Sequence, residues 1–191
     1  AYYNRYSNLQ VQRTVTVGSA FFSITQNAAS SRTPGVDVDA AFVISRTLRL
    51  NTNYSFQDAK ISRYQINAAT LLRDVRVPRS PRHSGLVGLD WSDDIGPGRA
   101  ALGGDVTYKS SFTNDIAFSA ATGVLTAPLP GYAVLNVRGS YTFEGWQISG
   151  YVRNLLNKNY AVSAFIANPA VFQYWTPAEP RTFEITLKHS F

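Results

Sequence analysis

RTFEITLKHSF, Arg181 to Phe191, is the stretch that decides the fold. Phe183, Ile185, Leu187, His189 and Phe191 fall on one side of an extended strand, and Thr182, Glu184, Thr186, Lys188 and Ser190 on the other. Side chains of a strand alternate with period two, and no helix keeps that spacing in phase. The segment is therefore a strand with one apolar face and a terminal aromatic. It suits the wall of a membrane β-barrel and equally a soluble barrel, because alternation does not say which face is outside.

Working upstream, the same pattern recurs. The sequence predicts strands over Ala1–Gln12, Gly35–Ser45, Thr47–Gln57, His83–Trp91, Arg99–Phe112, Tyr132–Phe143 and Trp146–Asn154, eight in all with the last. Short turns are expected at Ser45–Arg46, at SDDIGPG (Ser92 to Gly98) and at Glu144–Gly145. Long connections are expected over 13–34, 58–82, 113–130 and 155–180, the first with room to extend its flanking strands. Long and short connections thus alternate, as in outer-membrane barrels with short periplasmic turns and long outer loops.

From Gly35 onward the apolar face of each strand carries no Asp, Glu, Lys or Arg. The other face holds Asp37, Asp39, Arg49, Asp90, Arg99, Asp105, Lys109, Arg138, Arg153, Glu184 and Lys188. Strands of nine to fourteen residues are long for a soluble barrel and match the roughly 9–11 needed to cross a bilayer at a tilt. Tyr54, Phe56, Trp91, Phe112, Phe143 and Trp146 sit near strand ends, where interfacial aromatic girdles belong. The fold class is all-β, an antiparallel transmembrane β-barrel in the bacterial outer membrane, with the long connections outside the cell. A soluble lipocalin-like barrel with the apolar face inward stays open as the alternative.

Composition agrees. The 191 residues are 45% hydrophobic with mean hydropathy −0.13, and no apolar run is long enough for a transmembrane helix. Cys is absent, which removes disulfide, zinc-thiolate and thiol-nucleophile chemistry. Met is absent too and no secretory signal opens the chain, so a mature or truncated product is expected. The net charge of +6 is dispersed rather than clustered between aromatics, which argues against nucleic acid as a partner.

Several segments together resemble the C-terminal part of TonB-dependent outer-membrane receptors. YVRNLLNKNY (Tyr151 to Tyr160) is similar to the family's penultimate strand with its Asn-Leu-x-Asn/Asp-Lys-x-Tyr motif, and EPRTFEITLKHSF (Glu179 to Phe191) to its closing strand. NAASSRTPGVDVD (Asn27 to Asp39), PRSPRHSGLVGLDW (Pro78 to Trp91) and PGYAVLNVRGSY (Pro130 to Tyr141) resemble upstream strands in family order. Two features depart from the pattern: His189 stands where an aromatic such as Tyr is usual, and Asp37 where Glu is. The resemblance implies that residues 1–191 are the last eight strands of a 22-stranded barrel, with the plug domain absent from them. A stand-alone eight-stranded barrel with a structural or interaction role is the other option. The implied function is uptake of a scarce nutrient, a ferric siderophore or similar iron complex, driven by the TonB energising complex through parts missing here. It also implies that Phe191 is the signal read by the barrel-assembly machinery.

No residue constellation points to catalysis. Asp37 and Asp39 project from one face, but carboxylates of a wet lumen paired with Arg or Lys of neighbouring strands account for them better than an acid/base pair. His83 and His189 lack further ligands at metal spacing. GPGRAALGG has glycines without a following helix, and no serine sits in a nucleophile elbow. An enzyme, a cofactor and a metal are accordingly not expected. The long connections hold the ligand candidates: Arg63, Tyr64, Arg73 and Arg76 in a basic stretch with Arg79 and Arg82, and Phe172, Tyr174 and Trp175 in an aromatic one with Phe165. Arg supplies charge-assisted hydrogen bonds and aromatic rings supply area for an anionic or aromatic chelate. Contact of the basic stretch with outer-membrane lipid, through lipopolysaccharide phosphates, is the competing expectation.

Overall fold

The computed structural model of the chain describes residues 1–17, 20–67, 70–119, 123–168 and 172–190, and all of its regular structure is β. The wall consists of β1 (Tyr2–Val17), β2 (Ala20–Val43), β3 (Leu48–Gln57), β7 (His83–Ile95), β8 (Gly98–Lys109), β11 (Tyr132–Phe143), β12 (Trp146–Arg153) and β15 (Thr182–His189). Between them lie β4 (Lys60–Asn67), β5 (Thr70–Leu72), β6 (Val75–Arg76), β9 (Phe112–Ser119), β10 (Gly123–Leu129), β13 (Ala161–Asn168) and β14 (Phe172–Pro177). The order across the main sheet is β15-β12-β11-β8-β7-β3-β2, with β1 on β2, and every pairing is antiparallel.

The cross-strand register aligns the alternation of all these strands into two continuous faces. One row runs Leu50, Leu89, Gly104, Val137, Val152, Phe183 from β3 to β15. Its neighbour on the opposite face runs Asn51, Gly88, Asp105, Asn136. The apolar face is the open one: Phe183, Leu187 and Ile185 are exposed, the last at 80%. An inward-facing lipocalin-like arrangement would bury them, so that alternative is set aside. The sheet does not close on itself either, since β1 pairs only with β2 and β15 only with β12 among the described residues, so these strands do not form a small closed barrel. A twelve-residue strand such as β11, at about 3.4 Å per residue and a tilt near 40°, rises about 30 Å, the thickness of a hydrocarbon core with its margins.

Aromatics mark both edges of the apolar band. Tyr54, His83 and Phe56 pack together at one edge, with Tyr54 Oη 2.8 Å from His83 Nδ1 and the Phe56 and His83 rings 5.3 Å apart. Trp146 and His189 pack at the other, 4.2 Å between centroids, and Tyr141 donates its hydroxyl to the Ile95 carbonyl at 3.0 Å. Phe112 is not part of a girdle. It opens β9 and packs against the buried cluster Ala127, Leu129 and Ala164.

The turns at the second edge are tighter than the sequence suggests. Ser92, Asp93, Asp94 and Ile95 continue β7, paired with Ala101, Ala100, Arg99 and Gly98, so only Gly96 and Pro97 turn. Gly96 has φ +59°, and Pro97 fixes a negative φ after it, the φ pattern of a type II′ hairpin, so the two aspartates are not needed for the reversal. Glu144 and Gly145 both have positive φ, 46° and 80°, as a two-residue type I′ turn requires.

The long connections are largely strand. Residues 13–34 are not a loop: β1 and β2 stay paired from Tyr2–Gly35 to Val17–Ala20. Residues 58–82 hold the β4–β5 hairpin and β6, 113–130 the β9–β10 hairpin, and 155–180 the β13–β14 hairpin. These hairpins form a crown above the wall with small cores of their own, Ile61, Tyr64 and Ala59 under one, and Ala127, Leu129 and Ala164 between the other two.

Candidate functional site

The face opposite the apolar band is polar and concave, and its centre is an ion network across three strands. Asp90 on β7, Gly103 on β8 and Arg138 on β11 lie in one row. The Arg138 guanidinium crosses the glycine to pair with Asp90 through Nη2 and with Asp105 Oδ1 at 3.2 Å through Nη1. A Cβ at position 103 would stand 2.6 Å from Asp90 Oδ1 and 2.8 Å from Arg138 Nε, so any larger residue there would displace the ends of these two side chains from the crossing. Asn51 donates to Asp90 at 3.0 Å and Asn136 to Asp105 at 2.9 Å, which fills the remaining carboxylate positions. A cleft of about 540 Å³ follows this face toward the short turns, with Arg46, Arg49, Arg153 and Glu184 among its lining. Arg153 and Glu184 pair loosely across β12 and β15 at 3.8 Å. Asp37 and Asp39 lie on the same face, but Asp37 accepts the Ser55 hydroxyl at 2.6 Å instead of an Arg or Lys, and Asp39 lies opposite Asn53. Alternation announced which side chains share this face. It did not announce Gly103, whose importance depends on which residue of the next strand lies opposite.

The segment Asn154–Tyr160 turns out to be a clamp. Asn154 is 3% exposed with φ +49°, and its side chain accepts from Lys158 N at 2.7 Å and donates to the carbonyls of Lys158 at 3.0 Å and Glu179 at 3.2 Å. Its own N–H donates to Asn136 Oδ1, and Asn157, also at positive φ, accepts from the N–H of Arg181. Two asparagines therefore tie the end of β12 to β11 and to the start of β15. Left-handed φ is tolerated best by Gly and Asn, and Asn adds the side-chain caps. Tyr160 seals the clamp against Tyr132, 4.2 Å between rings, and burial followed by the nearby Tyr132 and Glu179 pushes its hydroxyl pKa up.

Among the described residues, those singled out for ligand capture lie on separate parts of the structure. Arg63 and Arg76 are exposed, and the register sets them on the side of the apolar band: Arg63 opposite Ser30, and Arg76 opposite Lys60, which itself lies opposite Arg32. Tyr64 is 3% exposed and belongs to the core of its hairpin. Arg73 is exposed beyond β5. Tyr174 and Trp175 on β14 are exposed at 61% and 46%, and Trp175 lines a cleft of about 500 Å³ with Tyr160, Lys158 and Pro130. The side chains of Phe165 and Phe172, and Phe191 altogether, lie outside the described residues. The β4–β5 hairpin packs on β2, whereas β13 packs on β9 and β10, so the basic and aromatic stretches sit on different parts of the crown. Among the described residues no group of three or more His, Cys, Asp or Glu converges on a metal position.

At the foot of the basic hairpin, Asp58 is held by Lys60 Nζ and Arg82 Nη2, each at 3.1 Å. Burial raises its carboxyl pKa, but the hydrogen bond from Lys60 and the charges of Arg82 and Lys60 outweigh that and leave it below the ordinary value.

The family model described as TonB dependent receptor-like, beta-barrel matches residues 1–155. Among solved structures, the ferric yersiniabactin uptake receptor FyuA from Yersinia pestis superposes with TM-score 0.75 at 17% identity, over 99% of this chain and 26% of that one. The ferric-catecholate import receptor Fiu from E. coli K12 does so with TM-score 0.70 at 20% identity, over 99% and 24%. The siderophore receptor PiuA from Acinetobacter baumannii gives TM-score 0.68 at 14% identity, over 98% and 25%. The chain thus spans about a quarter of the length of each of these receptors. No curated protein sequence matches it.

Proposed function

The chain belongs to the TonB-dependent receptor-like β-barrel family, whose members are transport receptors of the bacterial outer membrane and not enzymes, and from that premise we propose that it forms the C-terminal wall of a receptor for active uptake of a scarce nutrient. The observation that carries the reading is the open sheet with a lipid-facing apolar side and a charged concave side. Backbone groups at a bare sheet edge are not tolerated in a bilayer, so β1 and β15 call for further wall strands beyond these residues. A wall continued in this way encloses a lumen wider than side chains alone can fill.

Ferric siderophores or similar iron complexes are the ligand class, in line with the receptors it superposes on. A copper transporter, OprC, also shares the fold, at TM-score 0.70, so the metal is part of the test. Capture falls to the aromatic hairpin of the crown, where Tyr174 and Trp175 offer exposed rings with Phe172 on the same strand, while Arg73, exposed on the basic hairpin, adds a cation from another part of the crown. We leave Arg63, Arg76 and Tyr64 out of that surface, since the first two lie on the side of the apolar band and Tyr64 is buried. Energy comes from the TonB complex acting on a plug, both supplied by parts outside these residues, and the barrel-assembly machinery reads Phe191.

Cells carrying the whole receptor should take up iron-55 from one member of a panel of ferric catecholates, hydroxamates and phenolates, and only when TonB is present. Tyr174→Ala with Trp175→Ala should weaken binding of that complex by about tenfold, as the loss of two exposed aromatic contacts implies. Uptake without TonB, or no uptake from any iron complex alongside uptake of copper, would overturn the iron reading.

A further inference from the structure

Four cations stand in one row across four neighbouring strands. Arg5 on β1 lies opposite Arg32 on β2, Arg32 opposite Lys60 on β4, and Lys60 opposite Arg76 on β6. At about 4.8 Å between strands the row is about 14 Å long. Like charges placed directly opposite one another in a sheet cost stability, so an arrangement of four needs a counter-charge. The protein supplies part of it. Asp74 pairs with Arg32 at 2.9 Å and Asp58 with Lys60 at 3.1 Å, while the end members, Arg5 and Arg76, have no ion pair or hydrogen bond among the described residues.

The row faces outward. Arg32 is in phase along β2 with Val36 and Val38 of the apolar band, whereas Ser31 and Thr33, one position out of phase, line a cleft on the concave side with Tyr2 and Asn4. Tyr3, two positions from Arg5 on the same strand face, is exposed between the row and the band. The cations therefore sit just beyond the aromatic edge of the hydrocarbon, at the end of the wall away from the short turns. That is headgroup depth in the outer leaflet.

We propose that Arg5, Arg32, Lys60 and Arg76 form a comb that binds the phosphate groups of outer-leaflet lipid headgroups. Guanidinium groups take phosphate oxygens in pairs, and the two unpaired ends of the row leave a position at each side of the internally balanced middle. Arg63, opposite Ser30 on the same face, extends the basic surface one step farther from the membrane. The assignment rests on the outer-membrane placement and is independent of the nutrient the receptor takes up.

The test uses the intact receptor in neutral detergent, titrated with dioleoyl phosphatidic acid or dioleoyl phosphatidylcholine and read by native mass spectrometry, with heat-dependent gel mobility as the folding check. The wild type should hold phosphatidic acid in preference to phosphatidylcholine. Arg5→Gln with Arg76→Gln should weaken phosphatidic acid binding by about fivefold for each arginine and leave phosphatidylcholine unchanged. The Arg5→Lys, Arg76→Lys pair should keep most of the preference. Equal phosphatidic acid binding by wild type and the glutamine pair overturns the proposal. So does an equal loss on Arg46→Gln at the opposite rim, or complete displacement of the lipid by millimolar inorganic phosphate, which would assign the row to a free anion. Should the glutamine pair fail the mobility check, Arg5→Gln alone decides by the same criteria.

Discussion

The wall and the crown are made of the same material, antiparallel strands, under different constraints. In the wall two solvents meet a sheet one residue thick, so each strand must turn one set of alternate side chains to lipid and the other to water. Among the described residues hardly any wall side chain is buried, because lipid takes the place of a core. In the crown water lies on both sides, and the hairpins are held by a few buried residues: Ile61 and Tyr64 in one, Leu129, Ala127 and Ala164 between the other two. The wall is stabilised by its surroundings and the crown by its own packing.

The sharpest way to break this contrast is a charge on the lipid face. Ile185→Arg should destabilise the folded wall by about 2–4 kcal/mol if residue 185 lies near the bilayer midplane. Glu184→Leu, one residue away on the concave face and only loosely paired with Arg153, should change stability by less than about 1 kcal/mol. Urea titrations of the protein folded into phosphatidylcholine vesicles, followed by tryptophan fluorescence, measure both. Equal effects would mean that the two faces do not see different solvents.

A cavity in the crown should show the opposite signature. Leu129 has no exposed surface, and Leu129→Ala should cost about 2–3 kcal/mol where it is felt, toward the low end because two thin hairpins can collapse around the gap. The cost should stay local. Limited proteolysis should nick residues 113–130 or 161–177 faster, while the urea midpoint of the wall stays where it is. A shifted midpoint would show that wall and crown unfold as one unit.

The same contrast explains what could be read from the chain. Phe183, Ile185 and Leu187 announce their face because lipid forbids exceptions, and the membrane strands were visible for that reason. Residues 13–34 carry Gln, Asn, Ser and Thr on both faces, as a water-bathed strand allows, and so looked like a loop although β1 and β2 run through them. The aspartates of Ser92–Ile95 looked like a turn for a related reason. Past Trp91 the strand has left the band, so Asp93 occupies an outward position without penalty. Site residues were legible only as far as composition goes. Arg63 and Arg76 were visible as basic, but the side they face depends on pairing with β2 and with β4. Asn154 was visible as part of a motif, and its role as a clamp needed the carbonyls of Lys158 and Glu179 brought beside it.

The smallest effect lies at the seam between the two regions. Asp58 joins the end of β3 to the start of β4 and holds Lys60 and Arg82 there. Its carboxyl titrates below the ordinary value of 3.8 in the folded protein. A carboxylate with a depressed folded pKa contributes stability that is fully present above the unfolded pKa and is lost as pH falls through the folded one. Little should therefore change between pH 7 and 5. Below about pH 4 the basic hairpin should loosen, and more than one lost ion pair implies, because Lys60 released from Asp58 stands unshielded between Arg32 and Arg76. Hydrogen exchange of residues 60–67, read at matched chemical exchange rates, should show this acid step in the wild type. In Asp58→Asn the hairpin should exchange faster at neutral pH and the step should be missing. If the step persists in that variant, the acid sensitivity of the seam comes from another carboxylate, with Asp74 on Arg32 the next to replace.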